Sequence, residues 1–269
     1  MTRAAVTRDA GSSIDDSWTA VGPDAAPAIV FIHGTRLTRA FWSAQVEALK
    51  TEFRVITLDL PGHGTRVGEA FTLEDAADGV AAAIRQGGHS SRSGRVAPAV
   101  IVGLSLGGYV AMVLAAREPE LVRGLVLAGA TAEPVGIRAV AFRALASALE
   151  WFDAPPLNRV NAWFFRTRYP VAIADPIIAG GFWSRGGAAA LRTIVGQRFA
   201  PRLAAYPGST LIINGEWDLP FRWSSGTFAA AARDARRVRL AGALHLSNLD
   251  RPAAFTEAVR QFARSVRGA

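Results

Sequence analysis

The sequence predicts an α/β chain: a mostly parallel central sheet with helices on both faces, interrupted once by an inserted helical cap. Two observations carry that prediction. Nearly continuous apolar, β-branched runs alternate with segments whose apolar residues recur every three or four positions, the pattern of a parallel sheet covered on both sides. From about Glu133 to Tyr206 the alternation stops, and the chain carries Pro155-Pro156, Gly180-Gly181 and a dense set of large aromatics in place of strand runs. Residues 1–132 and 207–269 are therefore assigned to the sheet core and 133–206 to the cap.

Taken in order, residues 1–26 are polar and weakly patterned, with short strands expected at Ala4–Thr7 and Trp18–Val21. Pro27–Ile32 reads as a buried strand ending in His33-Gly34-Thr35, and Thr38–Lys50 places Trp42, Val46 and Leu49 on one helical face. Arg54–Leu60 is the next strand, closed by Pro61-Gly62-His63-Gly64. Thr72, with Asp75 three residues on, caps a helix whose apolar stripe is Leu73, Ala76, Ala77, Val80, Ala81 and Ile84. Gly87–Gly94, which contains His89, is a surface loop.

Val100–Val102 then runs into Gly103-Leu104-Ser105-Leu106-Gly107 and directly into an apolar helix, with no polar loop between. A strand, a very tight turn and a helix are implied, and small residues flank Ser105 because neighbours press close at such a turn. The charge-free stretch Val96–Ala116 is long enough to suggest a membrane span, but Pro98, the glycines and the switch from strand to helix pattern exclude it. Arg123–Ala130 is a further strand. Beyond the cap come a strand at Thr210–Asn214, a helix near Arg222–Arg233, a strand at Arg237–Leu240 and a last helix from about Pro252, with Phe255, Val259, Phe262 and Val266 at helical spacing.

Composition narrows the chemistry. The chain has no cysteine, so it holds no disulfide framework, thiolate metal site or cysteine nucleophile, and serine is left as the covalent nucleophile. The absence of cysteine, with no apolar leader core in Met1–Asp16, fits a cytoplasmic setting. The net charge of +8 comes almost wholly from scattered arginines, and the densest group, Arg233, Arg236, Arg237 and Arg239, lacks interleaved aromatics. It reads as a solvated face, so neither nucleic acid nor membrane is expected as a partner, only a small-molecule substrate. No heptad pattern indicates an oligomeric state.

A serine nucleophile needs a base, and the base needs an acid to hold its tautomer. His33 and His63 sit in strand-ending turns, where backbone hydrogen bonds are their expected use; His245, after the last strand, is the expected base. Asp218, just beyond the strand Leu211–Asn214, is the leading acid, with Glu216 the near competitor and Glu133 the remote one. The backbone N–H groups of Leu106, at the helix start, and Thr35, after Gly34, are the candidate oxyanion donors. No metal or organic cofactor is required by this chemistry.

His33-Gly34-Thr35 with Trp42, Asp59-Leu60-Pro61-Gly62-His63-Gly64, Gly103-Leu104-Ser105-Leu106-Gly107-Gly108, Gly215-Glu216-Trp217-Asp218, and His245 followed by Asp250 and Pro252 together resemble the α/β-hydrolase superfamily, in its branch of capped esterases and enol-lactonases. The resemblance runs from about residue 27 to the C-terminus and departs from the usual pattern at Thr65, where serine is common, and in abbreviated N-terminal strands. It implies Ser105 as nucleophile, His245 as base, Asp218 as acid, and Thr35 and Leu106 as oxyanion donors. Dehalogenases and epoxide hydrolases of the same fold place an aspartate where Ser105 stands. The implied reaction is cleavage of an ester, lactone or thioester of a small, largely apolar substrate, with lyase, cyclase or acyl-transfer chemistry, or ligand binding alone, as the alternatives. Trp42, Trp163, Trp183 and Leu219 are the candidate substrate contacts.

Overall fold

The computed structural model describes residues 16–88, 96–151 and 155–266. The strand expected at Ala4–Thr7, His89 with most of its loop, and Phe152 lie outside the described residues. Among the described residues seven strands form one sheet: β1 (Trp18–Val21), β2 (Ala28–Ile32), β3 (Arg54–Leu58), β4 (Ala99–Leu104), β5 (Val122–Ala128), β6 (Ser209–Gly215) and β7 (Asp234–Leu240). Their spatial order is β1-β3-β2-β4-β5-β6-β7, with β1 antiparallel to β3 and every other pairing parallel.

Every residue of β2 and β4 is buried, as central strands covered on both faces require. Their side chains alternate between two cores. Ile29, Phe31, Val100 and Val102 join one hydrophobic cluster, and Val30, Ile32 and Ile101 the other. Against the first face pack α1 (Ser43–Leu49) and, in the last part of the chain, α11 (Pro252–Ser265), preceded by the short α10 (Ser247–Asp250). Against the second pack α2 (Leu73–Gly87), α3 (Leu106–Arg117) and α9 (Leu219–Ala231).

The local reasons match the sequence. In α2 the Thr72 hydroxyl accepts the Asp75 N–H at 3.0 Å, satisfying one orphan donor of the first turn, and the expected stripe is buried. Helix α3 is apolar all round because it is enclosed by the sheet, by α2 and by a later helix, so that Leu106–Ala115 are all buried. The helix expected over Thr38–Lys50 divides into a tight turn at Arg39–Trp42 followed by α1, which puts Trp42 inside the core.

Between β5 and β6 run α4 (Ile137–Trp151), α5 (Pro155–Arg168), α6 (Val171–Gly180), α7 (Ser184–Ile194) and α8 (Ala200–Ala205). Helix α4 packs along α7 and α5 along α6, whereas α8 lies on α3, with Phe199, Leu203 and Tyr206 in the second core. Among the described residues no helix is long and apolar enough to cross a membrane.

Candidate active site

Ser105 sits between the end of β4 and the start of α3 with φ 52° and ψ −116°, a left-handed backbone that costs a residue with a Cβ on the order of 1–3 kcal/mol. The surroundings hold it there. Its N–H donates to the Ala128 carbonyl at 2.8 Å, and its own carbonyl accepts the Gly108 N–H at 2.9 Å. A Cβ on Gly103 would collide with the Gly107 backbone, one on Gly107 with the Ile32 carbonyl, and one on Gly108 with Ala130. The small residues around the serine are thus demanded by backbone packed against backbone.

The loops after β6 and β7 are laced together: the Glu216 N–H donates to Leu240 O and the Trp217 N–H to Ala243 O. This lacing brings Asp218, which is buried, to His245. The imidazole Nδ1–H donates to Asp218 Oδ2 at 3.0 Å, which leaves Nε2 with the lone pair. Phe221, from the first turn of α9, stacks on the ring with centroids 4.8 Å apart. Gly129, at φ 53°, gives the pair room, since a Cβ there would fall 2.9 Å from the imidazole. The competing acids are committed elsewhere. Glu216 Oε2 accepts the Gly242 N–H at 2.9 Å, and the Glu133 carboxylate takes the N–H groups of Phe199 and Ala200 at the start of α8.

The turn after β2 carries Thr35, whose backbone N–H the sequence offers as an oxyanion donor. Thr35 and Arg36 follow Gly34, and two buried imidazoles brace them. His33 Nδ1 donates to Gly34 O at 2.8 Å while its Nε2 accepts the Leu60 N–H at 3.0 Å. His63 Nδ1 donates to Pro61 O at 3.0 Å and its Nε2 accepts the Arg36 N–H at 3.3 Å. Each ring faces one carbonyl and one N–H, so only the neutral Nδ1–H tautomer fits both partners. Burial, the largest cause, lowers both pKa values, His63 to about 3.

A stability prediction follows from that shift. The folded protein keeps His63 neutral down to about pH 3, whereas the unfolded chain takes up a proton near pH 6.5. Stability is therefore complete above pH 6.5 and falls on acidification, by about 1.4 kcal/mol per pH unit for this one imidazole. Urea unfolding at pH 7 and pH 5 should show a loss of about 2 kcal/mol or more over that interval. In His63→Gln the loss should be shallower, and equal losses in both proteins would refute the assignment.

Ser105, His245, Thr35 and Gly34 line one cavity of about 370 Å³, and Leu106 opens α3 directly behind the serine. Its remaining wall is mostly apolar: Phe142, Leu145 and Leu149 from α4, Leu191 from α7, and Phe221 from α9. None of the four residues expected from the sequence to touch substrate lines this cavity. Trp42 is fully buried between Phe31 and Phe255, Trp163 is 66% exposed, and Trp183 lines a neighbouring cavity of about 640 Å³. Leu219 opens α9 one residue before Pro220, which does line the cavity. The residues that line it in their place include Phe142, Leu145 and Leu149 of α4, which the sequence analysis did not single out.

Asp250 adds a brace that sequence spacing does not reveal. Its Oδ2 accepts the Leu244 N–H at 2.7 Å, next to His245. Its Oδ1 takes Arg168 Nη2 at 2.8 Å and the Tyr169 hydroxyl at 3.1 Å, from a segment 81 residues away. Burial, and then the Asp250 charge, push the Tyr169 hydroxyl up to about 12, so it stays a donor.

Comparison with known proteins identifies the family. The model of the alpha/beta hydrolase family matches residues 29–258. The chain is 41% identical over 106 residues to a pimeloyl-[acyl-carrier protein] methyl ester esterase of Neisseria meningitidis, a match covering 39% of this chain and 37% of that relative's length. It is 26% identical to 3-oxoadipate enol-lactonase 1 of Acinetobacter baylyi, over 91% of each chain. The crystal structure of the enol-lactonase from Burkholderia xenovorans superposes with a TM-score of 0.71 at 25% identity, covering 92% of this chain and 96% of that one.

Proposed function

Because the chain belongs to the alpha/beta hydrolase family, we propose that it is a serine hydrolase that cleaves an ester, lactone or thioester bond of a small, largely apolar substrate. In this reading Ser105 attacks the acyl carbon while His245 Nε2 takes its proton and Asp218 holds the Nδ1–H tautomer and stabilises the imidazolium. The oxyanion is received by the backbone N–H groups of Thr35 and Leu106, the latter at a helix start where the N–H has no partner within the helix. The protonated His245 then passes its proton to the leaving group. Water, activated by the same imidazole, attacks the acyl-enzyme and returns Ser105 to its first state.

The observation that carries this is the 3.0 Å bond from His245 to Asp218 on the wall of the cavity that Ser105 also lines. Residues 133–206 act as the cap, with α4 and α7 supplying apolar walls against which the acyl group packs. The reading places the protein in the cytoplasm, acting on a small molecule, without a cofactor.

Incubation with a fluorophosphonate followed by peptide mass spectrometry tests it. One adduct is expected, on Ser105, with labelling slowed at least a hundredfold in His245→Ala. A folded protein left unlabelled, or labelled at another serine, would overturn the proposal.

A further inference from the structure

The arginine group that the sequence presents as one solvated face, Arg233, Arg236, Arg237 and Arg239, divides in the fold. β7 is the edge strand of the sheet, and its side chains alternate between the two faces. Val238 and Leu240 turn to the first core, with Arg236 on their side of the strand. Arg237 and Arg239 stand on the other side, where α9 packs, and Arg239 is the register partner of Asn214 in β6. Arg237 reaches across to the helix: a Cβ added at Gly226 of α9 would lie 3.6 Å from its Nη1.

Between β7 and α9 lies a cavity of about 310 Å³, lined by Asn214, Arg222, Ser225, Arg237, Val238 and Arg239. It shares no lining residue with the Ser105 cavity. Three arginines border it and no carboxylate does. The acids close by in the chain are used elsewhere: Asp218 holds His245, Glu216 accepts the Gly242 N–H, and Asp234 accepts the Ser209 hydroxyl at 2.6 Å. Among the described residues no carboxylate pairs with Arg222, Arg237 or Arg239.

Charge on an edge strand guards it against pairing with other chains, and Arg236 serves that purpose. That role calls neither for a third arginine on the facing helix nor for a buried amide beside the charges. Arg222 Nη1 donates to Glu216 O at 2.8 Å, which fixes this guanidinium at the cavity wall. Asn214 is only 4% exposed and gives one amide N–H to Thr131 Oγ1 at 3.5 Å. A primary amide has two such donors, and among the described residues nothing takes the second.

We propose that this cavity is a binding site for a phosphate monoester group, received by Arg222, Arg237 and Arg239 with the Asn214 amide as a further donor. Guanidinium forks fit pairs of phosphate oxygens, and a phosphate dianion offsets charge that a single carboxylate would leave mostly uncompensated. The site stands independently of the hydrolase reading.

Calorimetric titration with inorganic phosphate and with glycerol 3-phosphate, at an ionic strength held constant with sodium chloride, tests it. The wild type should show one saturable site for each. The double variant Arg237→Gln with Arg239→Gln should bind both by roughly tenfold or more weakly, through loss of two charge-assisted donors. Arg233→Gln with Arg236→Gln removes the same charge outside the cavity, and its affinity should stay within about twofold of wild type, since screened charges beyond contact add little. Arg237 and Arg239 are exposed, so Tm without phosphate should match among the three proteins. Absence of saturable phosphate binding in the wild type overturns the site by itself, as does equal weakening in the two double variants. Acetate binding as tightly as phosphate would overturn the phosphate assignment. Cosedimentation with phosphatidylcholine vesicles containing phosphatidic acid separates the sources of the group. Retention that the Arg237→Gln, Arg239→Gln protein loses marks a lipid headgroup, and binding of glycerol 3-phosphate without retention marks a soluble ester.

Discussion

Replacing Ser105 with alanine should lower kcat toward p-nitrophenyl butyrate by about 10⁵-fold, because the proposed acyl-enzyme path would be closed and only binding and the proposed oxyanion stabilisation would remain. Alanine keeps the Cβ and therefore the same φ of 52°, so the turn and its contacts with Ala128 and Gly108 persist. The loss should appear without a large change in Tm. In the proposed mechanism serine, base and acid act as one unit, so adding His245→Ala to Ser105→Ala should cost little more than either change alone. Stopped-assay rates with purified single and double variants check this. A Ser105→Ala protein that retains more than a hundredth of the wild-type rate would remove the serine from the mechanism.

Asp218→Asn should lower kcat by about 10⁴-fold with the structure intact. The carboxylate accepts the His245 Nδ1–H at 3.0 Å, and an amide turned to present its NH₂ there selects the wrong tautomer and leaves Nε2 without its lone pair. Nor can a neutral amide stabilise the imidazolium that forms when the serine is deprotonated. Glu216→Gln should stay within a few-fold of wild type, since its carboxylate only accepts the Gly242 N–H, which an amide oxygen can do equally well. Measuring both variants on one ester discriminates between the two candidate acids. A collapse in Glu216→Gln with a nearly normal Asp218→Asn would reverse the assignment.

Legibility in the sequence followed the range of the constraint. The turn around Ser105 was readable because its requirements are met within a few residues: three glycines whose added Cβ atoms would strike backbone or Ala130. His33 and His63 were readable as backbone-bonded for the same reason, although the support His63 gives Arg36 was not, because it joins two turns 27 residues apart. Choosing among Asp218, Glu216 and Glu133 needed the structure. The first two are neighbours in the same short loop, and what separates them is that Gly242 occupies one and His245 the other. The aromatic side chains of residues 133–206 misled, since size and apolarity say that a residue is to be buried or to bind but not against what. Phe165, Tyr169 and Phe182 went to the first core, Trp163 to the surface, and α4 turned Phe142, Leu145 and Leu149 to the cavity.

By itself the sequence determined the alternation of strands and helices, the sheet covered on both faces and the tight turn that carries the serine. Hydrophobic period and the steric demands of glycine act over a few residues, where chain order and spatial order coincide. Only the tertiary structure decided which acid meets His245 and which side chains wall the cavity. Those outcomes depend on how loops from β2, β5, β6 and β7 converge at one edge of the sheet and how α4 is rotated against α7, and the packing of distant segments sets both.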